Sequence, residues 1–136
     1  MKFGLVTLVI LLTACIGKSG KVNQYTSILQ KADTLHIWFK FKDRISAVHK
    51  GDRKLFNWIN EVLNGKEENC SCEPGGGISV YAKDSLTLDI EFATAANAKD
   101  CEFLIIKEEG KPEKCYRLNY SLGMYLEGMR DFIKPE

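Results

Sequence analysis

Four cysteines, Cys70, Cys72, Cys101 and Cys115, are the residues of this chain whose type and spacing offer the most chemistry. In an oxidising compartment an even number of cysteines favours disulfides. A direct Cys70–Cys72 bridge would close a very small, strained ring, because only one residue separates the two. We therefore expect two disulfides, in which Cys70 and Cys72 each join one of the other two cysteines.

Two other hypotheses for these cysteines stay open at this stage. All four could bind zinc as thiolates, although common structural sites place two to four residues between the first two ligands. Cys70 and Cys72 could also form a redox pair, but the strand-turn-helix context of thioredoxin-like proteins is missing around them. We predict no metal and no other cofactor.

The first fifteen residues indicate the compartment in which these cysteines lie. Lys2 is followed by an apolar run from Phe3 to Leu12 and then by small residues before Cys15. A positive start, a short apolar core and a small-residue exit are typical of an export signal. The run is too short to span a membrane, which takes about 20 residues.

Residues 12–15, Leu-Thr-Ala-Cys, resemble the lipobox of bacterial lipoproteins, in which a leucine is followed by two small residues and a cysteine. The resemblance covers only the first fifteen residues, but its motif is specific. It implies a signal peptide over 1–14, a diacylglyceryl group on the Cys15 thiol and an acylated new amino terminus. Residues 15–21 would then be a lipidated tether and residues 22–136 a single domain.

The tether and the charge balance bear on location and partners. The tether lacks the acidic run that resembles a surface-export signal and the aspartate that resembles an inner-membrane retention signal. In a host with two membranes, we therefore expect the outer membrane, facing the periplasm. The chain has 19 Lys and Arg residues, one of them Lys2, against 18 Asp and Glu residues. Such a balance gives no strong field for nucleic acid, so the lipid must provide membrane attachment.

An alternating segment over 34–42 carries the candidate binding residues. His36, Trp38 and Lys40 share its more polar face, and Tyr81 from a later hairpin could extend that surface. An aromatic ring flanked by polar donors can stack on a sugar or anchor a protein partner. The alternative is that a helix covers this face and Trp38 belongs to the core.

Support for catalysis is weak. The chain has only two histidines, His36 and His49, and lacks Gly-x-Ser-x-Gly and His-Glu-x-x-His spacings. Asp89 and Glu91 share a strand face where alternation alone would place charged residues. We predict that the protein is not an enzyme and assign no catalytic residue.

Residues 66–77 form a predicted loop that contains Cys70, Cys72 and the run Gly75-Gly76-Gly77. The glycines precede a strand and no Lys-Ser or Lys-Thr follows, which argues against a phosphate site. Flexibility and positive backbone angles explain them better. The loop could present itself to a secreted enzyme as an inhibitor, or its disulfides could simply stabilise the fold by roughly 2–4 kcal/mol.

Hydrophobic spacing predicts the elements that position these residues. Helices are expected over 22–32, over 55–63 after an Asp52 cap, and from a Ser121 cap onward. Strands are expected over 34–42, 78–82, 86–92, 101–107 and 114–120. Within them, the side chains expected to face inward on the third strand are Leu86, Leu88, Ile90 and Phe92. The apolar run from Phe103 to Ile106 predicts a strand covered on both faces.

This order predicts an α+β fold with an antiparallel sheet of about five strands, a helix between strands 1 and 2, and a C-terminal helix. If the three middle strands are sequential neighbours, Cys101 and the loop 66–77 lie at the same end of the sheet. We therefore expect a lipid-anchored envelope protein of binding or structural type that recognises a protein or glycan partner. The alternatives are an inhibitor that uses the loop and a thiol protein that uses Cys70 and Cys72.

Overall fold

The computed structural model describes residues 23–40, 45–95 and 100–133. These residues form an α+β fold of three helices and one antiparallel sheet of seven strands. In chain order the elements are α1 (Gln24–Lys31), β1 (Thr34–Phe39), β2 (Ile45–Lys50), α2 (Arg53–Leu63), β3 (Glu67–Glu68), β4 (Gly76–Ala82), β5 (Ser85–Ala93), β6 (Phe103–Ile106), β7 (Lys114–Arg117) and α3 (Tyr120–Ile133). None of the helices in this described part is long and apolar enough to cross a membrane.

The strand order is β2-β1-β4-β5-β6-β7-β3, and every neighbouring pair is antiparallel. The antiparallel sheet is confirmed, whereas the expected count of about five strands is too low. Strand β2 shows no hydrophobic alternation in the sequence, because its core-facing residues, Ala47 and His49, are small or polar, while Val48 faces the other way. The other missed strand, β3, has two residues and is too short to show alternation.

All three helices pack on one face of the sheet, here called the inner face. The α2 helix begins after Asp52, whose carboxylate accepts the Leu55 N–H at 3.3 Å, as expected from its sequence. In α3, however, the cap is Asn119, whose Oδ1 accepts the Leu122 N–H at 2.8 Å, and not Ser121. Helix α3 therefore begins earlier than predicted, at Tyr120. Side chains of all three helices share one core with the inner sheet residues.

On the other face of the sheet, here called the outer face, the described residues form a covering layer over β6, β7 and the end of β5. Cys70 is joined to Cys115 and Cys72 to Cys101, which confirms the expectation that each of the first two pairs with one of the others. Through these bonds the segment 69–75, here called the disulfide segment, lies against a second small core. That core consists of Ala93, Phe103, Ile105 and Cys115, with Cys70, Cys72 and Cys101 packed on it.

The apolar run in β6 is covered on both sides, as predicted. Leu104 and Ile106 enter the main core under the helices, whereas Phe103 and Ile105 enter the small core under the disulfide segment. Because successive strand residues point to opposite faces, four consecutive buried residues require two covering layers. One layer is helical and the other is held by disulfides.

The β4–β5 hairpin departs from the expected pattern at one position. Its turn residues, Lys83 and Asp84, have positive φ of 49° and 65°. A register shift beyond Val80 then places Leu86 opposite Tyr81. Cross-strand partners share a face, so Leu86 lies on the outer face, where its side chain is 54% exposed. The prediction that Leu86 faces inward is wrong because strict alternation does not survive the bulge.

The disulfide layer leads to a stability prediction. We expect the double substitution Cys72→Ala, Cys101→Ala to lower the free energy of unfolding by about 2–4 kcal/mol, because the unfolded chain regains a large loop. Urea denaturation monitored by circular dichroism measures this change. Under reducing conditions the wild-type protein should lose at least as much stability. An unchanged midpoint in both experiments would contradict a structural role for the two bonds.

Candidate binding face

The strands β2, β1, β4 and β5 carry a part of the outer face over which no described helix or segment packs, here called the open face. Antiparallel pairing of β1 with β4 sets Thr34 opposite Tyr81, His36 opposite Ser79 and Trp38 opposite Gly77. This pairing brings Tyr81 next to residues that lie more than forty positions earlier in the chain. Three of the four predicted binding residues, His36, Trp38 and Tyr81, therefore lie on one surface.

Two of these aromatic rings are in direct contact. The ring centroids of His36 and Tyr81 are 4.5 Å apart and the planes are tilted by 41°. Both residues, like Trp38, are half-buried. Within the described parts of the chain, no side-chain hydrogen bond engages the Trp38 indole N–H, the His36 imidazole or the Tyr81 hydroxyl. These polar groups are open to solvent and to a ligand.

Trp38 is packed against a glycine backbone. A Cβ atom added at Gly77 would overlap the indole ring, and one added at Gly76 would overlap the Trp38 carbonyl oxygen and the Phe92 ring. Gly77 thus lets the Trp38 indole lie close to the β4 backbone on the outer face, and Gly76 leaves room for the Phe92 ring on the inner face. None of Gly75, Gly76 and Gly77 has positive φ, so positive backbone angles, which sequence analysis invoked, are not the reason for this run.

The alternative in which Trp38 belongs to a helix-covered core is not supported. The three described helices share their core with inner-face residues such as Ile37 and Phe39, which flank Trp38 along the same strand but point the opposite way. What buries part of Trp38 is the backbone of β4 at Gly77.

Lys40 does not lie on the open face. Strand β1 ends at Phe39, and not at residue 42, so Lys40 lies in the following turn, where its backbone N–H donates to Gly75 O at 2.9 Å. Its ammonium group is 3.9 Å from the carboxylate of Glu73 in the disulfide segment. The expected strand residues Phe41 and Lys42 lie outside the described residues. Lys40 therefore borders the open face together with Glu73.

The polar residues of the open face are largely matched to one another. Ser79 donates its hydroxyl to Asp89 at 2.8 Å. Glu91, near the border with the small core, is 3.2 Å from the ammonium of Lys107, which also lies 3.6 Å from Glu113. This environment raises the pKa of Lys107, chiefly through its hydrogen bond to Glu91. Asp89 and Lys50, which lies opposite Thr34, are exposed charges of opposite sign at the two edges of the face, so neither sign predominates there.

Two aliphatic side chains complete the open face. Leu86 is 54% exposed beside Tyr81, and Val48, opposite His36, is 51% exposed. Neither Val48 nor Leu86 is among the binding residues predicted from the sequence, because β2 was not predicted and Leu86 was assigned to the core. A bulge cannot be read from alternation, so nothing in the local pattern could have identified Leu86.

The second histidine forms a separate contact on the inner face. His49 Nε2 is 2.6 Å from the Tyr125 hydroxyl, and His49 Nδ1 is 3.8 Å from the Asp52 carboxylate. Burial, with a smaller contribution from Asp52, raises the pKa of Tyr125, which disfavours a reactive phenolate. This contact joins β2 to α3.

Other parts of the described structure offer weaker evidence for a binding, metal or redox site. A cavity of about 330 Å³ at the start of α3 is lined in part by Glu102, Asn119, Tyr120 and Met124. No group of three or more His, Cys, Asp or Glu side chains in the described residues is placed to hold a metal ion. The four cysteines of the zinc and redox hypotheses are all in disulfides.

The packing of Trp38 on Gly77 leads to a prediction. We expect Gly77→Ala to lower the free energy of unfolding by about 1–3 kcal/mol, because the new methyl group overfills the space of the indole. In a Trp38→Ala background the same substitution should be neutral or stabilising, since alanine suits a strand better than glycine. Urea denaturation of the four proteins measures the coupling. Equal costs in both backgrounds would contradict the contact.

Comparison of this chain with known protein families, with curated proteins and with solved structures gives no match. The function proposed for this chain therefore rests on the geometry of the open face.

Proposed function

We propose that this chain is a lipid-anchored envelope protein that binds a protein or glycan partner through the open face of its sheet. The observation that carries the proposal is the cluster of His36, Trp38 and Tyr81 on a sheet face that no described helix covers. Aromatic side chains dominate the energetics of binding surfaces, because they provide large contact areas at low conformational cost.

Two features support the envelope location. The Leu-Thr-Ala-Cys motif at 12–15 lies outside the described residues, and lipidation at Cys15 is our inference from its resemblance to the lipobox. The two disulfides agree with an oxidising compartment such as the periplasm. On the outer membrane, a short tether would hold the open face within reach of envelope components.

The inhibitor hypothesis has less support. The disulfide segment exposes Glu73, yet its cysteines pack on the small core over β6 and β7. The position of the disulfide segment is therefore explained by the small core that it covers. A redox or metal function would require free thiolates at Cys70 and Cys72, and both sulfurs are bonded.

In-cell photo-cross-linking tests the binding proposal. A photoreactive residue at Leu86, which is 54% exposed on the open face, should form an adduct with the partner in intact cells. The matched control is the same residue at Met124, which is 53% exposed on α3. Mass analysis of the adduct identifies protein or glycan.

Trp38→Ala should abolish the adduct at Leu86, because it removes the largest ring of the face. The side chain lies away from the main core, so far-UV circular dichroism should remain that of the folded protein. An adduct that survives Trp38→Ala, or that forms equally at Met124, would overturn the assignment of the open face.

A further inference from the structure

We propose that the ligand of the open face is a short, uncharged oligosaccharide. This inference rests on the binding function proposed above and names the chemical class that the face would take. Three properties of the face carry it: its size, its combination of aromatic and hydrogen-bonding groups, and its charge.

The open face is small for a protein partner. Its residues form three rows across four strands, with Thr34, His36 and Trp38 as the β1 members of the rows. With strands about 4.8 Å apart and same-face residues about 6.8 Å apart, the floor measures roughly 20 by 20 Å with its side chains. A standard protein interface takes about 800 Å² from each partner, roughly twice this area. A few sugar rings laid end to end fit the area better.

The border of the face also suits a chain-like ligand. On one side the disulfide segment covers β6 and β7, so the surface rises there above the flat strands. The ion pair of Lys40 with Glu73 stands at the corner beyond the end of β1. A flat floor beside a raised layer gives an extended ligand an edge along which it can lie.

The groups on the open face match both the apolar and the polar parts of a sugar. A pyranose ring presents C–H bonds to an aromatic ring and hydroxyl groups at its rim. The indole of Trp38 and the paired rings of His36 and Tyr81 offer the aromatic part. Their own N–H and O–H groups are uncommitted, and Asp89, which accepts the Ser79 hydroxyl through Oδ1, has a second oxygen that can accept a sugar hydroxyl.

The charges of the face favour an uncharged ligand. Glu91 is paired with Lys107, and Lys40 with Glu73. The row of Asp89 contains Val48, His36 and Ser79 and no lysine or arginine, so an anionic sugar would meet a carboxylate there. The exposed Lys50 lies opposite Thr34 in the next row, at the far β2 edge, so the face carries one exposed charge of each sign and favours neither. Among the described residues of the face, a cationic ligand would find one exposed carboxylate outside an ion pair, Asp89, which already accepts a hydrogen bond.

The floor is also pre-arranged. Packing of Trp38 on Gly77 and of His36 on Tyr81 holds the three rings before any ligand arrives. Binding then orders few side chains, which lowers its entropic cost.

An array of uncharged and acidic oligosaccharides, probed with the full-length protein in detergent, tests this inference. We expect the wild-type protein to bind uncharged members of the array. Trp38→Ala should weaken that binding at least about tenfold, the effect of losing a central aromatic contact. Trp38→Phe should restore part of it, because an aromatic ring returns to the floor.

Trp58→Phe is the matched control. Trp58 is the other tryptophan of the chain and lies on α2, where the Lys54 ammonium stands 5.2 Å from its ring. Its replacement should leave sugar binding unchanged and make Trp38 the only tryptophan. The emission of that variant should then shift to the blue when the sugar covers the indole.

Each other outcome has a definite meaning. No binding to uncharged sugars, binding to acidic sugars alone, or equal loss in the Trp38 and Trp58 variants would overturn the sugar inference. If the adduct at Leu86 then proves to be a protein and depends on Trp38, the proposed binding function stands without the sugar. If that adduct is absent as well, both proposals fail.

Discussion

Strand β6 is apolar on both faces, so the sheet must be covered on both sides at that strand. Three helices cover the inner face, and Phe103 and Ile105 would be exposed to water on the other. The chain meets this need with the disulfide segment, which two bonds hold over β6 and β7. A few residues without a hydrophobic core of their own can form such a layer only when cross-links limit their freedom.

The same constraint creates the binding face. Because the disulfide segment is short, it covers only one half of the outer face and ends near Gly75, whose N–H donates to Phe92 O and whose carbonyl accepts the Lys40 N–H. No layer formed by the described residues covers the other half, over β2, β1, β4 and β5. Gly77 then allows Trp38 to settle against the sheet. The disulfide segment thus stabilises the small core, and the place where it ends sets the border of the candidate site.

Much of the fold can be predicted from local patterns. Helix α2 with its Asp52 cap, the β4–β5 hairpin and the two-sided burial of β6 all follow from spacing and turn chemistry, which act within a few residues. The missed elements fail for physical reasons. The core side of β2 is filled by Ala47 and by His49, which is satisfied by Tyr125, so its burial leaves no hydrophobic signal.

Side chains alternate along any extended chain, so local sequence is enough to put His36 and Trp38 on the same face of one strand. Which other side chains lie beside these two depends on how the strands pair. The pairing of β1 with β4 brought Tyr81 to His36, a bulge turned Leu86 outward, and the end of β1 removed Lys40. Such outcomes depend on hydrogen bonds between distant segments and on the competition among packing partners, which no local pattern records.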